Sequence, residues 1–255
     1  MKKTFVLFSV VALGCLFLGT ALAGEFGATA PYTKEGQFSM ALGYSYMDSK
    51  IKFDDAAGTG KSEQEFTQNQ FYLEGGYGFV KDWEMFLRLG AADLKADGAF
   101  VDSALPGGTE DFSSGYKFFG TLGFRGEFYK TPSFGIGAFL QGTYFSEYDD
   151  TDAEDSKYTI KSMYEIDFGL DIHGKAGPVL LYTGPFVNFI NGELEDVWVT
   201  APGGPEFQFK TDIREKNWFG WYGGARIPFA ERYYANLEGR YQSGFVFALS
   251  LGGKF

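Results

Sequence analysis

The chain has 255 residues, among them 29 Phe, 16 Tyr, 4 Trp and 36 Gly, and carries a formal net charge of -11. So many aromatics exclude a disordered chain, a mean hydropathy of -0.15 excludes a bundle of membrane helices, and the acidic balance excludes nucleic acid as a partner. One His cannot supply a multi-His metal centre, and the one Cys, Cys15, falls in a leader segment, so neither a disulfide nor a thiolate nucleophile is expected in the mature chain.

Residues 1–23 begin with Lys2 and Lys3, continue through an apolar run and end in Ala21-Leu22-Ala23. That three-part pattern predicts a cleaved secretory signal peptide. The rival is a lipoprotein leader with Cys15 lipidated, but the apolar run continues past Cys15 through Leu16, Phe17 and Leu18. Residues 24–35, with Pro31, are too short for a plug domain and read as a periplasmic lead-in to a single domain over 36–255.

From residue 37 onward the pattern is alternation with period two, the mark of strands with two unlike faces. Ten strands are predicted, at 37–53, 65–80, 83–95, 115–128, 133–147, 157–172, 178–193, 211–227, 233–241 and 245–255; eight or twelve stay open. In the third strand Trp83, Met85, Leu87 and Leu89 oppose Glu84 and Arg88. In the fourth, Tyr116, Phe118, Leu122, Phe124 and Phe128 oppose Lys117, Arg125 and Glu127. In the sixth, Tyr158, Ile160, Tyr164, Ile166, Phe168, Leu170 and Ile172 share one face, with Lys161, Glu165, Asp167 and Asp171 on the other. Connections after the even-numbered strands are short and those after most odd-numbered strands are long and polar. That alternation predicts a transmembrane barrel with turns on one rim and loops on the other.

Alternation alone does not say which face is inside. Three features favour an inverted barrel, apolar outward and polar inward. The polar faces hold balanced opposite charges: Glu74, Glu84, Glu127, Glu165 and Asp167 against Arg88, Lys117, Arg125, Lys161 and Arg240. Aromatics gather near strand ends as interfacial girdles, with Trp83, Tyr129, Tyr222 and Tyr233 on one rim and Tyr46, Tyr116, Tyr144, Tyr158 and Tyr241 toward the other. The last strand carries Phe245, Phe247, Leu249 and Leu251 on one face and ends in Phe255.

That terminal strand resembles the assembly signal of bacterial outer-membrane barrels. With the leader and the hairpin layout, the chain resembles the small Gram-negative outer-membrane β-barrels, a group that includes opacity-type surface proteins. The resemblance implies an all-β, single, antiparallel up-and-down barrel in the outer membrane. It implies contact with outer-membrane lipid and lipopolysaccharide, and help from the barrel-assembly machinery.

Large inward side chains, Tyr72, Phe86, Phe119, Phe139, Met163 and Tyr234, together with the charges predict a largely filled lumen. The loops are acidic, most densely at 147–155. There Asp150, Asp152 and Glu154 have the alternate spacing of a calcium loop, but Asp155 stands where such a loop needs Gly, so a solvated surface loop is expected. His173 is expected as an exposed turn residue with no second His for a catalytic site. Pro185 marks either a local bulge or a lateral break in the wall; the bulge is favoured. No cofactor and no enzymatic activity are expected. The function expected is a surface-exposed structural or interaction protein, with a narrow channel or a carrier of small apolar molecules as the alternative.

Overall fold

The computed structural model describes residues 24–53, 63–102, 108–151, 157–199 and 206–255. The signal peptide expected over 1–23 lies outside them. Among the described residues there are twelve β segments and no helix: β1 (Phe38–Phe53), β2 (Glu63–Val80), β3 (Trp83–Asp102), β4 (Gly108–Lys130), β5 (Phe134–Phe145), β6 (Tyr148–Thr151), β7 (Lys157–Ala176), β8 (Val179–Val199), β9 (Glu206–Glu215), β10 (Phe219–Pro228), β11 (Tyr233–Tyr241) and β12 (Phe245–Lys254).

Both β5 and β6 pair with β7, end to end, so they form one broken stave. Both β9 and β10 pair with β8 in the same manner. The result is ten antiparallel staves in up-and-down order, closed by β12 on β1 through Ser39↔Lys254 to Asp48↔Phe245. In the lower barrel this closure leaves no sheet edge, as a wall in hydrocarbon requires; above it, among the described residues, β6 has a ladder to β7 alone. One rim is made of tight turns, with Asp82 (φ 63) and Gly177 (φ 65) in the left-handed region. Asp is among the few residues with a side chain that visit that region readily.

The two faces exchange character along the staves. In β1, Phe38, Met40, Leu42 and Tyr46 point out and are exposed, while Ser39, Ala41 and Ser45 are buried. Further along the same outward row come Asp48, Lys50 and Lys52, and inside Met47 and Ile51 replace the small polar residues. The lower barrel is therefore apolar outside and polar inside. The upper barrel, toward the long loops, is polar outside and apolar inside. Met47, Ile51, Phe66, Leu94, Phe112, Phe145, Tyr148, Ile160, Leu194 and Ile213 belong to one buried cluster there.

The outward apolar band runs around the wall through Leu42 (66% exposed), Leu73, Leu87, Phe118, Leu122, Leu140, Phe168, Ile172, Phe189 and Leu251. A face this continuous in aromatic and aliphatic side chains is far larger than the patches soluble surfaces carry. It is the band that a lipid-facing barrel presents.

The β11–β12 hairpin stops short at Gln242-Ser243-Gly244. Above it β9 takes over as the neighbour of β1, with Ile51↔Glu215 and Phe53↔Ile213. The wall narrows there from ten staves to eight. The junction is tied by Gln242, which donates to the Asn217 carbonyl, and by Asn217 Nδ2 on Ser243 Oγ at 3.1 Å.

One expectation is corrected by a break in register and another by the absence of one. Between Lys161 and Tyr164 the β7–β8 ladder slips, with Ser162 at φ 52. A one-residue slip exchanges the faces. So Tyr158 and Ile160 are buried inside, not on the outer row with Tyr164 and Ile166. Pro185 makes neither the favoured bulge nor a gap: it pairs with Trp221 of β10, and β7–β8 keep register on both sides of it, through Gly169↔Phe186 and Ile172↔Thr183.

Candidate functional site

The lower lumen is built from inward positions of the ten staves. Arg88 Nε donates to Glu74 at 2.6 Å, Arg125 Nη2 reaches Glu74 at 2.8 Å and Arg125 Nε reaches Glu84 at 2.8 Å. Across the lumen Asn188 donates to Asp167 at 2.8 Å and to Glu165, and Gln141 donates to Asp167 at 3.0 Å. Buried charge is tolerated only when paired or richly hydrogen-bonded; Glu74 and Glu84 are paired with arginines, and Glu165 and Asp167 accept from side-chain amides. Arg240 is the exception. It is 1% exposed, its guanidinium meets no hydrogen-bond acceptor among the described residues, and Glu238 is 3.8 Å from Nε. It lies over the Phe26 ring, 4.2 Å from the centroid.

Phe26 is part of a segment expected outside the barrel. Residues 24–29 are buried inside it. The backbone N–H groups of Phe26 and Gly27 donate to the two oxygens of Glu238, each at 2.8 Å. Thr29 N–H donates to Asp171 at 2.8 Å, and those of Tyr32 and Thr33 donate to Glu84 at 3.1 Å. Carbonyls face cations: Arg88 donates to the carbonyl of Glu25, and Arg226 donates to Ala30 at 2.8 Å and Ala28 at 3.2 Å. The Glu25 carboxylate accepts from Tyr72 at 2.8 Å and from Asn236. Phe26 packs on Phe139, Phe186 and Tyr222. An extended backbone that enters a lumen must satisfy its donors and acceptors from the wall, and the inward acids and arginines do that. The lead-in of residues 24–35 is thus corrected: residues 24–33 lie within the lumen, fully buried as far as Thr29, and 34–37 cross the short-turn rim.

The segment fits because it is thin. Gly24, Gly27, Ala28 and Ala30 flank one large side chain. Gly27 has φ +76, and a Cβ there would crowd the Arg125 guanidinium. Those small residues were the signal in the sequence; without a period of their own they do not announce a partner surface.

Of the ten residues expected to form the lumen charge network, Glu74, Glu84, Arg88, Arg125, Glu127, Glu165, Asp167 and Arg240 are buried inside. Two are elsewhere. Lys117 is half-exposed toward the long loops and pairs with Asp149. Lys161 lies beyond the Ser162 bulge and pairs with Glu195 at 2.6 Å. Lys210 also pairs with Glu195, and hydrogen bonds from the two lysines hold that carboxyl below the usual range. The inward bulk at Tyr72, Phe86, Phe119, Phe139, Met163 and Tyr234 is all buried.

His173 is not an exposed turn residue. It is 4% exposed, with Nε2 at 2.7 Å from Glu127 and Nδ1 at 2.8 Å from Asp171. The pairing Gly135↔His173 extends β7 past the expected turn. Tyr222 leaves the girdle as well: it is buried against Phe26, as Tyr158 is buried in the upper cluster. Tyr46, Tyr116, Tyr129, Tyr144 and Tyr233 are exposed on the wall. Of the calcium candidates, Asp150 is in β6 and accepts from Ser113 N–H at 2.6 Å; Asp152 and Glu154 lie outside the described residues. Among the described residues no group of three or more acidic, His or Cys side chains is placed to hold a metal. Phe245, Phe247, Leu249, Leu251 and Phe255 form the outward row of β12 and the chain end.

No family model matches the chain, and no curated protein matches it. Its neighbours among solved structures are outer-membrane β-barrel proteins. The outer membrane protein OprG from Pseudomonas aeruginosa is 17% identical, covers 87% of this chain and 97% of its own, and has a TM-score of 0.46. The outer membrane protein AlkL is 12% identical over 92% and 97% of the two chains at TM-score 0.44. The outer membrane protease OmpT from Escherichia coli is 10% identical over 86% and 95% at 0.46.

Proposed function

We infer that the protein is an outer-membrane barrel with a closed lumen, whose function is carried by its long-loop end as a surface structural or interaction element. The observation that carries this reading is the lumen itself. Its lower half is occupied by residues 24–33 and the charge network, and its upper half by the apolar cluster around Phe66, Phe112 and Tyr148. Both halves are filled by packed side chains, so no continuous water path is expected. The signal peptide over 1–23, removal of which leaves Gly24 as the first residue, delivers the chain across the inner membrane. The outward row of β12 serves the barrel-assembly machinery, and the apolar band meets lipid and lipopolysaccharide. The lone His is held between two carboxylates as a structural residue, in keeping with a role other than catalysis.

The test is electrical. The chain starting at Gly24 is refolded into planar bilayers, with folding checked by heat-modifiable gel mobility. Electrical silence is the expected outcome; steady, salt-dependent conductance from folded protein overturns the closed lumen.

A second reading, passage of small apolar molecules from the wall, rests on one feature. Leu181, Trp221, Leu237, Tyr241, Phe245 and Phe247 border an outward groove of about 290 Å³, floored by Gly223, Gly224 and Gly239. Quenching of Trp221 fluorescence by a brominated alkane beyond that of a W221F control supports this reading.

A further inference from the structure

The inward parity that places acids and arginines in the lumen continues to the short-turn rim and there delivers cations. Lys175 shares the face of His173, Lys254 that of Ser250 and Gly252, and Lys130 pairs across from the buried Gly135. With Arg226 they line a cavity of about 460 Å³ at the mouth. Its walls include Pro31 and Tyr32 of the lumen segment, the Thr131 and Ser133 hydroxyls, and the rim prolines Pro132, Pro178 and Pro228.

Four cations face one carboxylate in this cavity, and that carboxylate is already engaged. Glu127 accepts from Lys130 at 2.5 Å and faces His173 at 2.7 Å. Lys175 and Lys254 have no ion-pair partner among the described residues; Lys254 lies 5.5 Å from the Tyr32 ring. Arg226 flanks the same ring at 5.6 Å, is 8% exposed, and keeps a buried Nε with no acceptor although its other nitrogens are bound. In a chain of net charge -11, this is a focused positive site. A concave, low-dielectric cleft concentrates such a field. The volume is that of a small-ligand site. Lysines act as point charges and Arg as a directed donor toward phosphate oxygens.

We propose that the mouth of the lumen binds a compact phosphate-bearing anion of at least two negative charges between Lys175, Lys254 and Arg226. Every cation in it is carried by a wall stave, but the Tyr32 ring of the lumen segment lies against Lys254 and Arg226, so the site rests on that segment staying in the lumen.

The probe is inorganic pyrophosphate, titrated calorimetrically against the folded barrel in zwitterionic micelles at low salt. Saturable binding is expected. The double variant Lys175→Gln/Lys254→Gln should weaken it at least about tenfold, since each lost contact is a charged hydrogen bond. Lys50→Gln/Lys210→Gln, at the opposite end, should leave it unchanged. Phosphatidylglycerol doped into the micelles separates two sources: competition with pyrophosphate assigns a lipid headgroup, and no competition assigns a soluble anion. Failure of pyrophosphate to bind, or equal binding by the Lys175/Lys254 variant with native heat-modifiable mobility, overturns the site.

Discussion

Arg125 lies between two buried carboxylates, Glu74 and Glu84, and donates to the carbonyl of Phe26 at 3.4 Å. Its ring contact with Phe86 places the guanidinium 4.8 Å from that centroid. Replacing it with Met conserves much of the side-chain volume but strands two carboxylates. Breaking a buried pair by removing one partner costs about 3–5 kcal/mol. Arg125→Met is therefore expected to lower the unfolding free energy in lipid vesicles by that amount, measured by urea titration of heat-modifiable mobility. The double variant Arg125→Met/Glu84→Gln should recover part of the loss. An unchanged single variant means that these charges are solvated rather than paired. The alternation of β2, β3 and β4 already names Glu74, Glu84, Arg88 and Arg125 as one inward set, because period two assigns faces without knowledge of neighbours. It does not give the partners. Arg240, on the same inward parity, lies over the Phe26 ring with Glu238 beyond hydrogen-bond reach at 3.8 Å, which depends on a segment the periodicity is silent about.

At the scale of elements, ten staves are readable because each carries its own two-faced pattern between turn signals. What period two does not carry across is a slip. At Ser162 the backbone takes a left-handed φ and the faces exchange, so Lys161 and Tyr158 leave their expected sides while everything from Met163 to Ile172 keeps them. The lumen segment is the larger omission, for a different reason. It makes no strand, so it has no period, and its recognition is by backbone N–H and C=O groups that every sequence has. Its residence inside is open to a direct check. Ala28 is fully buried and Lys34 is exposed at the rim. In the refolded chain starting at Gly24, which lacks Cys15, Ala28→Cys should react with a water-soluble maleimide at least roughly 100-fold slower than Lys34→Cys, since labelling needs local opening. Equal rates mean that the segment spends its time outside the barrel.

For the whole molecule, the decisive pattern is the exchange of faces along the barrel. A soluble barrel would be apolar inside throughout, and a uniform membrane barrel polar inside throughout. This one is polar inside below and apolar inside above, so the level of the exchange marks where lipid gives way to water. Leu122 is near the middle of the outward row of β4, between Phe118 and Phe128. Glu65 is outward on β2 above the exchange, opposite Lys50. Arg on the lipid face costs about 2–4 kcal/mol at the midplane and about 0–1 near the interface. Leu122→Arg is expected to destabilise the refolded barrel in lipid vesicles by the larger amount. Glu65→Arg, which changes charge by two but is bathed in water, should change stability by less than about 1 kcal/mol. In detergent micelles thin enough to deform around the charge, the Leu122→Arg penalty should shrink. Equal effects of the two substitutions in vesicles would place the outward row of β4 in water, and the apolar band would then have to be covered by protein rather than lipid.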